Sequence, residues 1–334
     1  MFVLSDSYLK SLIKKGELEI IPEPEGVAFQ PSSIDLRIGK VFKQKDDIKI
    51  IEITDNYQPE DYWNTLEEVE SNGDCYTLEK NKLYVIESLE KIKLSPDYFL
   101  EFQQRSSGGR RFCFANSFSV GSLDFSFGKF SDDKHKKVEY CIYPFTKTKI
   151  YKGQRAFQLI VFKNPTNEDS NNFFYDEIKL HAGEVFELKE DVEIDTKKKF
   201  EIEEYYEKVK INKIEPGKNY LVKTDEKVKI SRHTAGLILS GPSTKMADEF
   251  REDIPPEWHD IDFLRNYIPL SFSCFNAGFV DPGYEGNLTL QPHPNLFPIP
   301  IERPLGLLRI FPVKGKVERP YGSKGLDSKY VKRN

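Results

Sequence analysis

Apolar residues along this chain recur mostly at every second position and in short runs, the period of a strand. Residues 82–88 (KLYVIES), 138–143 (VEYCIY), 156–162 (AFQLIVF) and 305–311 (LGLLRIF) read as strands, and 98–102 alternates in the same way. Twenty Gly and twenty Pro lie between such runs and punctuate them. The helical period is rare. It predicts one helix over Asp6–Lys15, with Ser5 as N-cap, Leu9, Leu12 and Ile13 on one face and Gly16 as the stop. A second helical stretch falls within residues 246–266, interrupted by Pro255-Pro256. The balance predicts a mainly β protein of sandwich or barrel type.

The pattern occurs twice. Residues 34–51 read IDLRIGKVFKQKDDIKII and residues 178–194 read IKLHAGEVFELKEDVEI, each with a central Gly, then Val-Phe, then a mixed-charge stretch. Further on, 78–94 (LEKNKLYVIESLEKIKL) lies over 214–230 (IEPGKNYLVKTDEKVKI), so the order of blocks is kept. Two ordered matches predict an internal duplication; two unrelated β domains of similar composition are the alternative. The polar stretch NPTNEDSNN, residues 164–172, suits a linker between modules 1–163 and 173–334.

Composition narrows the function. A net charge of −5 with mixed signs excludes a broad basic field for polymeric nucleic acid, yet a few local arginines can still hold a small polyanion. No apolar run reaches the roughly eighteen residues of a membrane-spanning helix, and polar residues break up 1–15 before a signal-peptide core forms. Four widely spaced cysteines do not form a disulfide framework, so a reduced, cytoplasmic protein is expected.

Chemistry-bearing residues gather in four places. Arg105-Ser106-Ser107-Gly108-Gly109-Arg110-Arg111 follows the 98–102 alternation. Arginine supplies bidentate donors, serine supplies O–H donors and glycine lets backbone N–H groups approach, which suits phosphate oxygens. A solvated Ser/Gly turn is the alternative; a P-loop is not, because the GK[ST] ending is missing. Glu139 lies in a run of apolar and aromatic residues, where alternation sets it with Cys141 and opposite Val138 and Tyr140. If that face is interior its pKa rises toward the range of a proton shuttle; otherwise it is an outward strand glutamate. Residues 276–286 (NAGFVDPGYEG) form a strand entering a Pro-Gly turn, and 319–330 form a basic, aromatic tail. The H-x-E and P-C-x-x-C pattern of zinc base deaminases is missing, and His135, His181, His233, His259 and His293 have no metal-ligand spacing. An enzyme without a protein-bound transition metal is expected.

Together these residues resemble the dCTP deaminase and dUTPase superfamily, in particular a duplicated dCTP deaminase. Leu4-Ser5-Asp6 and residues 30–39 (QPSSIDLRIG) are similar to that family's first segment, and Arg105 to Arg110 to its R-S-S-x-x-R phosphate motif. Val138-Glu139-Tyr140 with Lys152-Gly153-Gln154 is similar to the stretch carrying its catalytic glutamate. Residues 277–286 resemble its A-G-x-x-D-P-G-Y/W-x-G turn, and Arg319-Pro320-Tyr321 with Ser328-Lys329-Tyr330 the segment that closes over the triphosphate.

The resemblance implies two dUTPase-like distorted β-barrels of the β-clip type in tandem, and zinc-independent hydrolysis of dCTP to dUTP and ammonia for pyrimidine deoxynucleotide synthesis. It implies Glu139 as the catalytic residue. Arg105, Ser106, Ser107 and Arg110 would hold a triphosphate arriving with Mg²⁺. Asp124 and Asp281, with Asp35, would serve sugar or base contacts or turn architecture, and Tyr321 and Lys329 the lid. Family sites lie between subunits of a three-module ring, so three two-module chains would fill two rings as a homotrimer; pairing of halves within a dimer is the alternative. The second module departs from the pattern: Gly241-Pro242-Ser243-Thr244-Lys245-Met246 replaces the phosphate motif, and the place of its glutamate falls at Leu290 or Gln291. In the first, residues 121–127 lack Pro-Gly-Tyr. A dUTP diphosphatase, a bifunctional deaminase–diphosphatase and a non-catalytic nucleotide-binding regulator are the rival readings.

Overall fold

The computed structural model of the chain describes residues 2–46, 59–95, 97–105, 115–116, 135–163, 176–240, 272–274, 278–294, 298–323 and 326. The expected helical stretch in 246–266 and linker 164–172 lie outside them. The protein is mainly β. The helix Asp6–Lys15 forms where expected: Ser5 Oγ accepts from Tyr8 N at 3.3 Å, Gly16 closes the end at φ 71°, and Leu9 and Leu12 are buried.

In the first half the strand Ile34–Gln44 lies between Arg155–Lys163 and Tyr84–Leu94, and Lys136–Ile142 pairs with the far edge of Tyr84–Leu94. Tyr98–Gln104 flanks Arg155–Lys163 on its other side. Alternation turns Ile34, Leu36, Ile86, Leu100, Phe102, Val138, Tyr140, Phe157 and Leu159 into one core. Each such large side chain contributes about 1.5–3 kcal/mol on burial. A second core gathers residues from 180 to 308, Val185, Val222, Leu288 and Leu308 among them.

The repeated blocks build the same strand pair in both halves. Phe42 faces Val85 in the first, and Phe186 faces Leu221 in the second. The central glycine has one job in each: a Cβ on Gly39 would sit 2.8 Å from the Ser88 carbonyl oxygen, and one on Gly183 would sit 2.7 Å from Asp225 Oδ1. A carboxylate then clamps the preceding strand, buried in the case of Glu90 and half-buried in the case of Glu226. Glu90 accepts from Arg37 N at 2.9 Å and Arg37 Nε at 2.6 Å; Glu226 accepts from His181 N at 2.8 Å and meets His181 Nδ1 at 2.7 Å. Ser88 Oγ accepts from Val138 N at 2.9 Å, and Thr224 Oγ1 from Leu288 N at 3.0 Å.

The halves share a sheet. Strand Phe2–Leu4 runs antiparallel to Arg155–Lys163 on one side and parallel to Gly306–Lys314 on the other. Val3, Ile160 and Phe162 of the first half pack there against Ala235, Leu237, Phe279 and Phe311 of the second. This cluster covers part of the outer face of the first half's sheet, the face turned away from its own core.

Candidate active site

Arg105 ends the strand Tyr98–Gln104, where the phosphate-like motif begins. Its backbone N–H donates to the Ala156 carbonyl at 3.0 Å, and its Nε lies 3.2 Å from Asp35 Oδ2. Arg155 Nη1 reaches the same oxygen at 3.1 Å and donates to the Val27 carbonyl at 2.8 Å. Two guanidiniums therefore share one fully buried carboxylate. Both guanidiniums stand beside the start of the motif, and planar N–H donors of this kind suit an anion. Ser106, Ser107 and Arg110 lie outside the described residues, as do Asp124 and Lys329.

Asp281 arrives from the second half. The neighbouring Gly278 is set against Gln103, 3.0 Å from its Oε1 to the position of a Cβ. Asp281 Oδ1 is buried and makes no hydrogen bond among the described residues. Burial first, and the Asp35 charge second, push the Asp281 carboxyl up to about 7, with Arg105 acting against them. Tyr321 lies over this hairpin: its N–H donates to the Pro282 carbonyl at 2.8 Å, and its ring meets that of Tyr284 edge-on at 5.2 Å. Glu101, two strand positions behind Gln103, accepts from Gln103 Nε2 at 2.5 Å, and burial pushes its carboxyl up to about 7. Its signal was in the sequence, a carboxylate inside an apolar alternation, the same signal that singled out Glu139.

Glu139 is placed by its neighbours. Val138 and Tyr140 are locked in the core, Tyr140 against Phe102 and Phe157 with ring centroids 5.9 and 4.6 Å away. Glu139 therefore points to the outer face with Cys141, and it is exposed in the single chain. Desolvation is the first cause and the Glu87 charge the second by which its carboxyl is raised above the ordinary range; Lys136 opposes them. Three strands separate the strand of Glu139 from that of Arg105. At about 4.8 Å per strand that is about 19 Å along a flat sheet. A sheet curled around its core splays outer-face side chains further apart. The structure thus brings Arg105, Asp35, Asp281 and Tyr321 together and leaves Glu139 on a separate, open part of the same face.

In the second half the ladder sets Thr289 opposite Lys223, the counterpart of Glu139 opposite Glu87. Thr289 takes the corresponding position in that ladder, and Leu290 and Gln291 are buried. Among the described residues no group of three or more His, Cys, Asp or Glu side chains is placed to hold a metal ion, and no helix is long and apolar enough to cross a membrane.

A family model described as dCTP deaminase-like matches residues 3–164. A "dCTP deaminase, dUMP-forming" of Sulfurihydrogenibium sp. is 31% identical over 163 residues, 48% of this chain and 83% of that relative. The chain belongs to the dCTP deaminase family. The "dCTP deaminase, dUMP-forming" of Persephonella marina matches at the same identity and coverage. A crystal structure of 2'-deoxycytidine 5'-triphosphate deaminase from Agrobacterium tumefaciens has the same fold, with a TM-score of 0.68 at 17% identity over 95% of this chain and 99% of that one. The stretch matched by the dCTP deaminase-like model contains Arg105 and Glu139 and ends before Asp281 and Tyr321.

Proposed function

We propose that this chain hydrolyses dCTP to dUTP and ammonia, with Glu139 as the proton shuttle and Arg105, Ser106, Ser107 and Arg110 on the triphosphate. The observation that carries the reading is that the stretch matching the family, residues 3–164, holds both the arginine-serine motif and the glutamate. Water adds to C4 of cytosine while N3 gains a proton, and the amino group then leaves as ammonia. A carboxylate beside C4 takes the water's proton and returns it to the base and leaving group, help worth roughly 10²–10⁴ in rate. The chemistry is assigned to Glu139 rather than to a zinc-bound water. Mg²⁺ would arrive with the substrate triphosphate and would neutralise part of its charge.

Because Glu139 stands on an open face, well away from Arg105, we assign the two groups of one site to different chains of a homo-oligomer, a homotrimer being the arrangement that fills three-module rings. The modules are 1–163 and 173–334, related by duplication, with Asp281, Tyr321 and Lys329 of the second contributing contacts beside the motif of the first. A cytoplasmic enzyme of nucleotide metabolism follows.

A second reading is favoured by the names of the relatives, which are dUMP-forming. There, a second water would cleave dUTP to dUMP and pyrophosphate in the same protein. Parallel incubations with dCTP and with dUTP, each with Mg²⁺, followed by assays of ammonia, pyrophosphate and the nucleotide, separate the cases. Ammonia with dUTP supports the deaminase, ammonia with pyrophosphate and dUMP the bifunctional enzyme. Pyrophosphate from dUTP alone would indicate a diphosphatase, and no turnover a nucleotide-binding regulator.

A further inference from the structure

We propose that Glu87 is a positioning residue for Glu139, a second carboxylate set directly opposite it on the neighbouring strand that acts on it through space without touching the substrate. The inference rests on the assignment of Glu139 above. Register pairs Glu87 with Glu139 across Tyr84–Leu94 and Lys136–Ile142, so both side chains leave the same outer face. Directly opposed side chains have Cβ atoms about 4.5–5.5 Å apart, and like charges at that spacing repel.

The two carboxylates are not equivalent. Lys137 Nζ is bonded to Glu87 Oε1, and Glu87 is nearly buried, with its side chain 14% exposed. Glu139 has no ion pair among the described residues. Among the described residues, the charged and titratable groups around it are Glu87 and Lys91 on one strand and Lys136, Lys137 and Cys141 on its own; on the other edge the short strand Ala115–Asn116 pairs with Ile142 and Cys141. His135 is turned away onto Glu19, at 3.1 Å. The pair is confined to the first half, since the same ladder in the second half sets Lys223 against Thr289.

Ionising Glu139 beside Glu87 costs Coulomb energy that protonation relieves, so Glu139 holds its proton to higher pH than it would alone. In the deamination step Glu139 must begin as a base, and the acid limb of the rate profile reports when it becomes one. Removing Glu87 should shift that limb to lower pH, and restoring a carboxylate should shift it back.

The test is carboxyl NMR of the full chain with ¹³C-labelled glutamate, Glu139 being identified by loss of its signal in Glu139→Gln. In Glu87→Gln the Glu139 midpoint should fall by about half a pH unit or more, Glu87→Asp should restore much of it, and the acid limb of kcat/KM should follow. An unmoved Glu139 midpoint in Glu87→Gln overturns the proposal, whatever the activity. A midpoint that falls while the rate profile stays fixed upholds the coupling and overturns the assignment of Glu139 instead.

Discussion

Arg105 and Glu139 owe their places to opposite treatments of charge. Arg105 is partly neutralised, tied to a buried Asp35 that also binds Arg155, whereas Glu139 faces outward between lysines and a second carboxylate. Asp35→Ala leaves two guanidiniums without their shared partner. Breaking a buried pair in this way typically costs about 3–5 kcal/mol, so its urea midpoint should drop sharply, while Asp35→Asn should fall between it and wild type. Arg110→Ala removes a charged donor worth about 1.5–3 kcal/mol. Equilibrium binding of dCTP should weaken by about tenfold or more, and unchanged affinity would return the motif to a solvated turn. Much of this was legible in the sequence: alternation placed Glu139 opposite Val138 and Tyr140, as the structure does. It could not say what covers the outer face, because that depends on packing between distant segments. For the same reason the sequence does not show that the second half brings Asp281 up to Arg105 and Asp35.

The elements explain why the repeat was readable. Gly39 and Gly183 let a strand pass close to its neighbour, and the carboxylates Glu90 and Glu226 bind the backbone at the irregularity that follows. These are local demands, so they leave a local signature in both blocks. Gly39→Ala would drive a methyl against the backbone carbonyls of Glu87 and Ser88, at an expected cost of about 1–3 kcal/mol. Gly183→Ala first meets the movable Asp225 side chain and should cost less. Urea unfolding of the two variants checks that order. Bulges are not legible in the sequence: the register shifts between Glu87 and Lys91 in one ladder and between Lys223 and Lys227 in the other, and alternation alone does not signal either shift.

At the scale of the molecule, the halves are joined by backbone pairing through Phe2–Leu4 and by the apolar cluster around Phe162 and Phe311. Asp281, raised from 3.8 to about 7, keeps its proton in the folded chain over a range where the unfolded chain has lost it. Its contribution is complete below about pH 4 and is lost as pH rises through about 7, with a slope of up to about 1.4 kcal/mol per pH unit. Thermal stability should therefore decline over that window, and Asp281→Asn should flatten the decline. If grip and shuttle come from different chains, co-expressing Glu139→Gln with Arg110→Ala should give hybrids with part of the wild-type activity, though neither variant alone has it. The most direct measurement is ammonia release from dCTP by wild type and Glu139→Gln, with dCTP binding measured alongside. Glu139→Gln should bind dCTP normally and release ammonia at least ~10²-fold more slowly; near-normal release from that variant would remove Glu139 from the proton-shuttle role.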